Sequence, residues 1–362
     1  MADARPARSM GVEEEFLLVD PETGTASAAS GAVLLIAEAE HDGDLTAELQ
    51  LEQIETGTRP QVTPEALAAE LHRTREQARA AASAVGAALA PLATSPLPAH
   101  PTVSPSPRYH RMVEQFGLTG VEQLTCGCHV HVAVGSGEEG VAVLDRIRAW
   151  LPPLLALSSN SPFWNGHDTR YASYRNQVWG RWPSAGPTGV FGSAAAYRAM
   201  EQAMLATETV LDPAMIYFDA RLSRRHPTVE IRVADVCREI DDAVLIAALC
   251  RGLVTTAAQE WAAGRAPDPV PAPVLRLATW RAARSGLSGA LLDPRTGRPA
   301  PARDVLTALI GHVRDALADT GDLGTVTALL DALLRRGTGA ARQRAVSRRA
   351  GDLRAVVLDA IG

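Results

Sequence analysis

The sequence predicts an α+β fold, because strand-like and helix-like segments are mixed along the chain without strict alternation. Three observations support this: short segments with alternating apolar residues, an amphipathic helix in the first quarter, and a mainly helical part from about residue 241 to the end. The strand-like segments are residues 10–20, 47–58, 124–135, 215–223 and 228–235. With 362 residues, 46% of them hydrophobic, the chain can bury a sizeable core.

The first third of the chain contains the clearest helix. Residues 1–9 are expected to form a disordered leader, and residues 10–362 a single domain. Thr63 suits a helix cap and Pro64 a first turn, so a helix of about 25 residues is predicted to begin there. Its apolar positions are Leu67, Leu71, Ala78, Val85 and Leu89. The next segment, residues 91–107, contains six prolines and is predicted to be a loop.

The middle of the chain combines helices with one long loop. Residues 139–157 have a helical pattern that is expected to break at the Pro152–Pro153 pair, because proline disrupts a helix interior. Residues 160–187 have no regular period and carry three of the six tryptophans. A long loop rich in aromatic residues and arginine is typical of a binding surface. Residues 194–211 are predicted to form a further helix.

The basic residues exclude several classes of protein. All 35 are arginine, so the chain lacks the lysine that a Walker A loop, a protein kinase or Schiff-base chemistry requires. The net charge is −6 and no basic block occurs, which argues against nucleic-acid binding. The sequence shows neither a membrane-length apolar run nor a secretory signal. We therefore predict a cytoplasmic location with reduced cysteines and no membrane partner.

Three of the strand-like segments carry a pair of polar residues two positions apart. The pairs are Glu13 and Glu15, His129 and His131, and Glu230 and Arg232. Residues two apart on a strand point to the same face of the sheet. Burying a carboxylate costs several kcal/mol unless it is paired or bound to a metal. The three pairs together therefore predict a polar cavity lined by three strands.

The segment 47–58 adds two further carboxylates, those of Glu48 and Glu55. Their odd spacing puts them on opposite faces of a regular strand, so a bulge or the start of a loop near Glu48 is needed to turn both inward. A site with many carboxylates and one or two imidazoles suits Mg²⁺ or Mn²⁺ better than Zn²⁺.

Cys126 and Cys128 precede the two histidines and raise the alternative of a zinc site. The Cys-x-Cys spacing is too tight for the usual structural zinc pattern, and Cys237 and Cys250 do not form a matching pair. The first two cysteines alternate along the strand and are expected to be able to face the same cavity as the histidines. Packing residues are the simpler interpretation of both.

Five motifs, in their order along the chain, give a family resemblance. They are "GVEEEFLLVD", "IETGTRP", "CGCHVHV", "NSPFWNGHDTRYASYR" and "TVEIRVAD". As a set that extends from Gly11 to the "RQR" segment ending at Arg344, they resemble the carboxylate–amine ligases of the glutamate–cysteine ligase type 2 family. The resemblance implies a curved, mainly antiparallel sheet that forms a glutamine synthetase-like active-site funnel flanked by helices.

The resemblance also implies a reaction. A substrate carboxylate takes the γ-phosphoryl group of ATP to give an acyl phosphate, and an amine then displaces phosphate to form an amide. The expected cofactors are ATP and Mg²⁺ (or Mn²⁺), and the expected substrates are an amino-acid carboxylate and an amine, with weak glutamate–cysteine ligase activity. For the assembly we expect a homodimer.

Site residues follow from the same resemblance. The implied metal ligands are Glu13, His129 and Glu230 for one ion, and Glu15, Glu48 and Glu55 for the other. Glu52 competes with Glu48, because it too lies on the opposite face from Glu55 in a regular strand. The implied catalytic and nucleotide-binding residues are His131 near the ATP phosphates, Arg232 at the transferring phosphoryl group, and Arg175, with Arg170 and Arg181 as further candidates, on a substrate carboxylate or phosphate.

Two other functions are compatible with parts of this pattern. A metal-dependent hydrolase would use His-x-His and the carboxylates to activate water without ATP, although such a site normally contains more histidines. A non-catalytic metabolite sensor would have no need for five or six buried carboxylates. ATP dependence distinguishes the ligase from the hydrolase.

Overall fold

A computed structural model describes residues 7–39 and 45–362. Its centre is an open, antiparallel sheet with the strand order β2-β3-β1-β5-β9-β8, and β4 pairs with the far end of β1. The strands are β1 (Met10–Val19), β2 (Leu45–Ala47), β3 (Gln53–Gly57), β4 (Ala88–Ala90), β5 (Gly127–Ala133), β6 (Phe163–Trp164), β7 (His167–Asp168), β8 (Ala220–Leu222), β9 (Thr228–Asp235), β10 (Ala290–Asp293) and β11 (Arg298–Pro301). Helices and antiparallel strands are mixed along the chain, which confirms the α+β prediction.

Helices flank this sheet and fill the last third of the chain. They are α1 (Ser30–Ala39), α2 (Pro64–Ala84), α3 (Pro107–Phe116), α4 (Leu118–Val121), α5 (Gly137–Ile147), α6 (Leu151–Ser158), α7 (Arg175–Trp179), α8 (Ala194–Ala206), α9 (Ile240–Ala262), α10 (Ala272–Ser285), α11 (Ala302–Asp319), α12 (Leu323–Arg336), α13 (Gly339–Ala350) and α14 (Arg354–Ile361). No helix in the described ranges is long and apolar enough to cross a membrane.

The main hydrophobic core lies between one face of the sheet and the helices. Val130 of β5 and Ile231 of β9 point into this core, where the long helix α9 packs against β5, α5 and α11. Because side chains alternate along a strand, the neighbouring polar residues point to the other face. The sheet thus has an apolar face covered by helices and a polar face that is free to line a cavity.

The predicted strand at residues 47–58 is wrong as a single element. β2 ends at Ala47, a turn follows, and β3 begins at Gln53 and pairs antiparallel with β2. The turn folds the segment back on itself, so that Glu48 and Glu55 no longer follow one alternation. This hairpin provides the loop near Glu48 that the spacing of the two carboxylates requires.

Local capping rules predicted α2 well. Thr63 caps the helix, and its hydroxyl accepts a hydrogen bond from the Ala66 backbone N at 3.2 Å. Pro64 is the first helical residue, and the helix is 21 residues long. Leu89 was wrongly included, because the chain leaves the helix after Ala84 and enters β4.

Several predicted boundaries are corrected by the structure. The break between α5 and α6 is a 3₁₀ turn at Arg148–Trp150, one turn before the prolines, because Pro152 and Pro153 are tolerated in the first turn of a new helix. The helix predicted at 194–211 ends at Ala206, and only Ala220–Leu222 of segment 215–223 is a strand. The hairpin of β10 and β11 was not predicted.

The predicted leader, residues 1–9, lies partly outside the described residues. In the described part, the Arg8 guanidinium donates to the Ala133 carbonyl oxygen at 2.7 Å, and the Ala133 backbone N donates to the Ser9 carbonyl oxygen at 3.0 Å. The chain is therefore already tied to the end of β5 at this point.

Candidate active site

The polar face of the sheet lines a cavity of about 320 Å³. It is lined by all of the predicted metal ligands and by the two residues predicted to contact the nucleotide phosphates. These are Glu13, Glu15, Glu48, Glu55, His129 and Glu230, with His131 and Arg232. Strand register explains why they meet. Glu13 is paired directly with His129, Glu15 with Glu55, and His131 with Glu230. The three polar pairs of the sequence are thus neighbours across adjacent strands.

The imidazoles of His129 and His131 lie among the carboxylates, and three of their four ring nitrogens have no hydrogen-bond partner among the described residues. His129 Nδ1 is 3.5 Å from a Glu13 oxygen, and His129 Nε2 is 3.8 Å from a Glu15 oxygen. His131 Nε2 is 3.3 Å from the other Glu13 oxygen. In the described part of the chain none of these three buried nitrogens makes a hydrogen bond, while His131 Nδ1 is 3.0 Å from the Thr228 hydroxyl. Buried polar atoms without partners are costly, so these nitrogens are suited to bind a ligand such as a cation.

The clustered carboxylates of the cavity shift one another's pKa values. Burial, followed by the charge of Glu15, raises the pKa of Glu48 to about 8. Burial and the charge of Glu48 also raise the pKa of Glu55 well above its ordinary value. Burial opposes ionisation of Glu13 as well, but the imidazoles of His129 and His131 outweigh it and lower the Glu13 pKa. A bound cation would relieve the repulsion that raises the pKa of Glu48 and Glu55.

The donor atoms are close enough to share cations. In the described part of the chain, three groups have donor atoms within 4.8 Å of one another: Glu13, Glu55 and His129; Glu13, His131 and Glu230; and Glu15, Glu48 and Glu55. Burial, followed by the charge of Arg232, lowers the pKa of His129, which keeps its imidazole in the neutral form that binds metals. Carboxylate oxygens with one imidazole fit Mg²⁺ or Mn²⁺. The residues present therefore fit a divalent-cation site.

Glu230 is held by arginines on both sides. The Arg221 guanidinium donates to both of its carboxylate oxygens, at 2.8 and 3.1 Å, and Arg232 donates to one of them. Burial would raise the pKa of Glu230, but the charges of Arg232 and Arg221 outweigh it and bring the pKa to about 2. Glu230 is thus ionised, and Arg232 is fixed beside the carboxylate cluster.

The hairpin separates Glu48 from its competitor. Glu52 is buried outside the cavity, where its two oxygens accept hydrogen bonds from the Thr102 backbone N at 3.1 and 2.9 Å. Glu48 instead lines the cavity with Glu15 and Glu55. Between the two candidates, only Glu48 is therefore placed to complete the carboxylate group.

The arginines of the long loop do not line the cavity. Arg170 and Arg181 are exposed, and Arg181 forms an ion pair with Glu122 at 2.6 Å. Arg175 is buried, and its guanidinium lies 5.7 Å from the Trp179 ring. It also lies against Gly127, where any side chain would collide with it. Neither Arg170 nor Arg181 is among the residues that line the cavity, and substrate contact by Arg170, Arg175 and Arg181 stays a prediction.

The cysteines do not share the cavity with the histidines. Cys128 points into the main core with Cys250, because it is one residue from His129 and so lies on the opposite face. Cys126 is buried in a second core, 3.4 Å from the Gln53 side-chain amide nitrogen. Both thiols are free, and no cation-binding group among the described residues contains a cysteine. The expectation that they face the cavity is wrong, and the packing interpretation fits.

Comparison with known proteins identifies the family. The model of "Glutamate-cysteine ligase family 2 (GCS2)" matches residues 9–359. The chain belongs to this family. It is 55% identical over 356 residues to "Putative glutamate–cysteine ligase 2-1" of Streptomyces avermitilis, with 98% of both chains covered. It is 54% identical over 353 residues to "Putative glutamate–cysteine ligase 2" of Streptomyces coelicolor, with 97% of both covered.

Two crystal structures support the fold of this family member. A glutamate–cysteine ligase from Francisella tularensis in complex with AMP has a TM-score of 0.72 at 13% identity, covering 99% of this chain and 88% of that one. A bifunctional glutathione synthetase from Pasteurella multocida has a TM-score of 0.69 at 15% identity, covering 98% and 52%. At such low identity the similarity shows the ligase fold alone, which confirms the predicted fold class.

Family membership also confirms the predicted reaction class. The protein is an ATP-dependent carboxylate–amine ligase that acts on small molecules, and the hydrolase alternative is not favoured.

Sequence reasoning missed much of the wall opposite the carboxylates of this ligase. Trp179 and Trp182 line it, and Tyr217 packs between them, with ring centroids 4.7 and 5.6 Å away. α3 adds Tyr109, whose pKa is raised to about 12 by burial and the charge of Glu48. The aromatic loop was the only signal for this wall. Nothing in the sequence pattern brings α3 to the cavity, because that contact is made between distant segments.

Proposed function

We propose that this ligase joins the γ-carboxylate of glutamate to the amine of cysteine, with Mg²⁺ as the divalent cation. The observation that carries the proposal is the convergence of five carboxylates and two imidazoles in a cavity that also contains Arg232. The names of the Streptomyces relatives support the substrate pair. Two of the carboxylates have raised pKa values, so the cavity around them is short of positive charge.

The cation ligands are proposed from the donor groups. Glu15, Glu48 and Glu55 would hold one ion, as the resemblance implies. Glu13 would hold another with His129 or with His131 and Glu230, because its two oxygens face both imidazoles. The cation supplies neutralisation of the negative charge on the phosphate oxygens during transfer.

The remaining roles belong to the chain's own side chains. Arg232 is held next to Glu230 and is proposed to orient the transferring phosphoryl group, because a guanidinium can donate two parallel hydrogen bonds to phosphate. His131 borders the carboxylate cluster and is proposed to contact the ATP phosphates. Arg175 is proposed to act on a substrate carboxylate.

The test is ADP release by the purified protein with Mg²⁺, ATP, glutamate and a panel of amines that includes cysteine. We expect ADP release that requires both amino acids and is fastest with cysteine. Release that depends on another amine would reassign the substrate but keep the ligase chemistry. No release with any pairing, while Mg²⁺ still binds, would overturn the proposal.

Location and assembly complete the proposal. A cytoplasmic location agrees with the use of ATP and with four free thiols. The expected homodimer is tested by light scattering of the purified protein.

A further inference from the structure

Among the described residues, five arginines line the cavity, and three of them donate hydrogen bonds to carboxylates inside the protein. Arg221 and Arg232 both donate to Glu230. Arg108 donates to both oxygens of Asp212, at 2.6 and 3.1 Å. Recruiting one of these three for a ligand would cost an internal charge-assisted hydrogen bond. Among the described residues, the other two arginines make no such hydrogen bond, so they can bind a further anion at lower cost.

Those two, Arg224 and Arg225, are adjacent and exposed. Arg224 has a single distant ion pair, 3.8 Å from a Glu201 oxygen, and its side chain is 56% exposed. Arg225 forms no ion pair within the described residues, yet it lines the same cavity. Two arginines that line one cavity with little compensating negative charge create a local positive potential, which an anion would relieve.

The fold places these arginines next to the proposed cation site. Both belong to the hairpin loop between β8 and β9, residues 223–227. In the same loop the His226 ring packs edge-on against His131, with centroids 6.3 Å apart. His131 in turn lies 3.3 Å from Glu13. A ligand bridging the loop and the carboxylate cluster would thus meet positive charge at the mouth and bound cations inside.

We propose that Arg224 and Arg225 form an oxyanion-binding subsite at the mouth of the cavity. The subsite would hold either a phosphate group of the nucleotide or a carboxylate group of an amino-acid substrate, and this choice rests on the proposed function. The guanidinium geometry suits both oxyanions, because each presents two oxygens to a planar fork of donors. Within the described residues, binding here would break only the long ion pair of Arg224 with Glu201.

The experiment compares Arg225→Ala and the double variant Arg224→Ala/Arg225→Ala with Arg314→Ala. Arg314 is an exposed arginine on α11, so its variant removes the same charge away from the cavity. Calorimetric titration with tripolyphosphate, a non-hydrolysable ATP analogue and glutamate, each with Mg²⁺, measures binding without turnover. Steady-state kinetics then give KM for each substrate and kcat separately.

We expect Arg225→Ala to weaken binding of one oxyanion about tenfold and the double variant to weaken it further, with kcat changed less than KM. Weaker binding of tripolyphosphate and the ATP analogue assigns the subsite to phosphate. Weaker binding of glutamate alone assigns it to a carboxylate. Wild-type affinities for all three ligands in the double variant would overturn the subsite.

Two outcomes separate the subsite from the proposed function. Arginine-dependent anion binding without ADP release on any substrate pair keeps the subsite and overturns the proposed function. ADP release by the double variant with unchanged KM values and unchanged ligand affinities keeps the proposed function and overturns the subsite. Arg225→Lys serves as a further check: it keeps the charge but not the planar fork, so intermediate affinity supports bidentate binding.

Discussion

The glutamates on the two faces of β1 differ in their charge partners. Glu14, on the core face, is fully buried, and its two oxygens accept hydrogen bonds from Arg75 at 2.8 and 2.6 Å. Arg75 also donates to the carbonyl oxygens of Cys237 and Arg238. Glu13 and Glu15, on the cavity face, have no arginine partner among the described residues. Their nearest charged or titratable neighbours are the two histidines.

One strand can therefore contribute to the stability of the fold on one face and to ligand binding on the other. The carboxylate of Glu14 is neutralised from within the protein, so its contribution is to stability. The cavity carboxylates are left for a ligand to neutralise. Three consecutive glutamates therefore carry two separate roles, which can be separated by mutation.

The largest expected effect is on the cavity face. Glu13→Gln should lower kcat/KM for ADP release at least about 1,000-fold, or about 4 kcal/mol, because a charged cation ligand is lost while the side-chain volume is kept. The protein should remain folded, as judged by circular dichroism. Glu230→Gln should also abolish turnover. Near-normal ADP release by either variant would contradict the ligand assignment.

The core face should show the opposite result. Glu14→Gln should lower the free energy of unfolding by about 3 kcal/mol, because it leaves Arg75 charged and buried without its partner. Urea denaturation measures this loss. Protein that is still folded should retain kcat within a few-fold.

The matched control is the double variant Glu14→Gln/Arg75→Met. It removes both charges, so much of the lost stability should return. A double variant no more stable than Glu14→Gln would show that the Arg75 contacts with the backbone, and not the charge pair, dominate.

Stabilisation by Mg²⁺ should distinguish variants on the two faces of β1 without a measurement of turnover. At about 100 times its dissociation constant, Mg²⁺ should stabilise the wild type by about 2.7 kcal/mol, since it binds the folded state. Chelation with EDTA should reverse the effect. Glu13→Gln and Glu55→Gln should show a much smaller gain in urea denaturation, whereas Glu14→Gln should gain as much as the wild type. An equal gain in all variants would place the cation elsewhere.

The smallest effect is expected at the thiols. Cys126→Ser should keep turnover within about twofold and lower the free energy of unfolding by about 1 kcal/mol, because Cys126 is a buried packing residue. Elemental analysis of the purified wild type should find no stoichiometric zinc. A large loss of activity together with a loss of bound zinc would restore the thiolate site.

Much of the site could be predicted because alternation along a strand is a local property. The pairs Glu13 with Glu15 and His129 with His131 were assigned to common faces by spacing alone, and the structure places them so. The start of α2 could be predicted from Thr63 and Pro64, because helix capping is also a local property. The exact grouping of ligands was not predictable, because it depends on which strands are neighbours and on their register.

The sequence by itself determined which functional groups the protein has. These are carboxylates and imidazoles in pairs, arginine as the only permanently cationic side chain, and motifs that indicate a ligase. Tertiary structure alone decided which of these groups meet. The hairpin places Glu48 in the cavity and Glu52 outside it, Arg175 is buried beside Trp179, and the β8–β9 loop brings Arg224 and Arg225 to the cavity. Those outcomes depend on contacts between residues far apart in the chain, which no local period or spacing specifies.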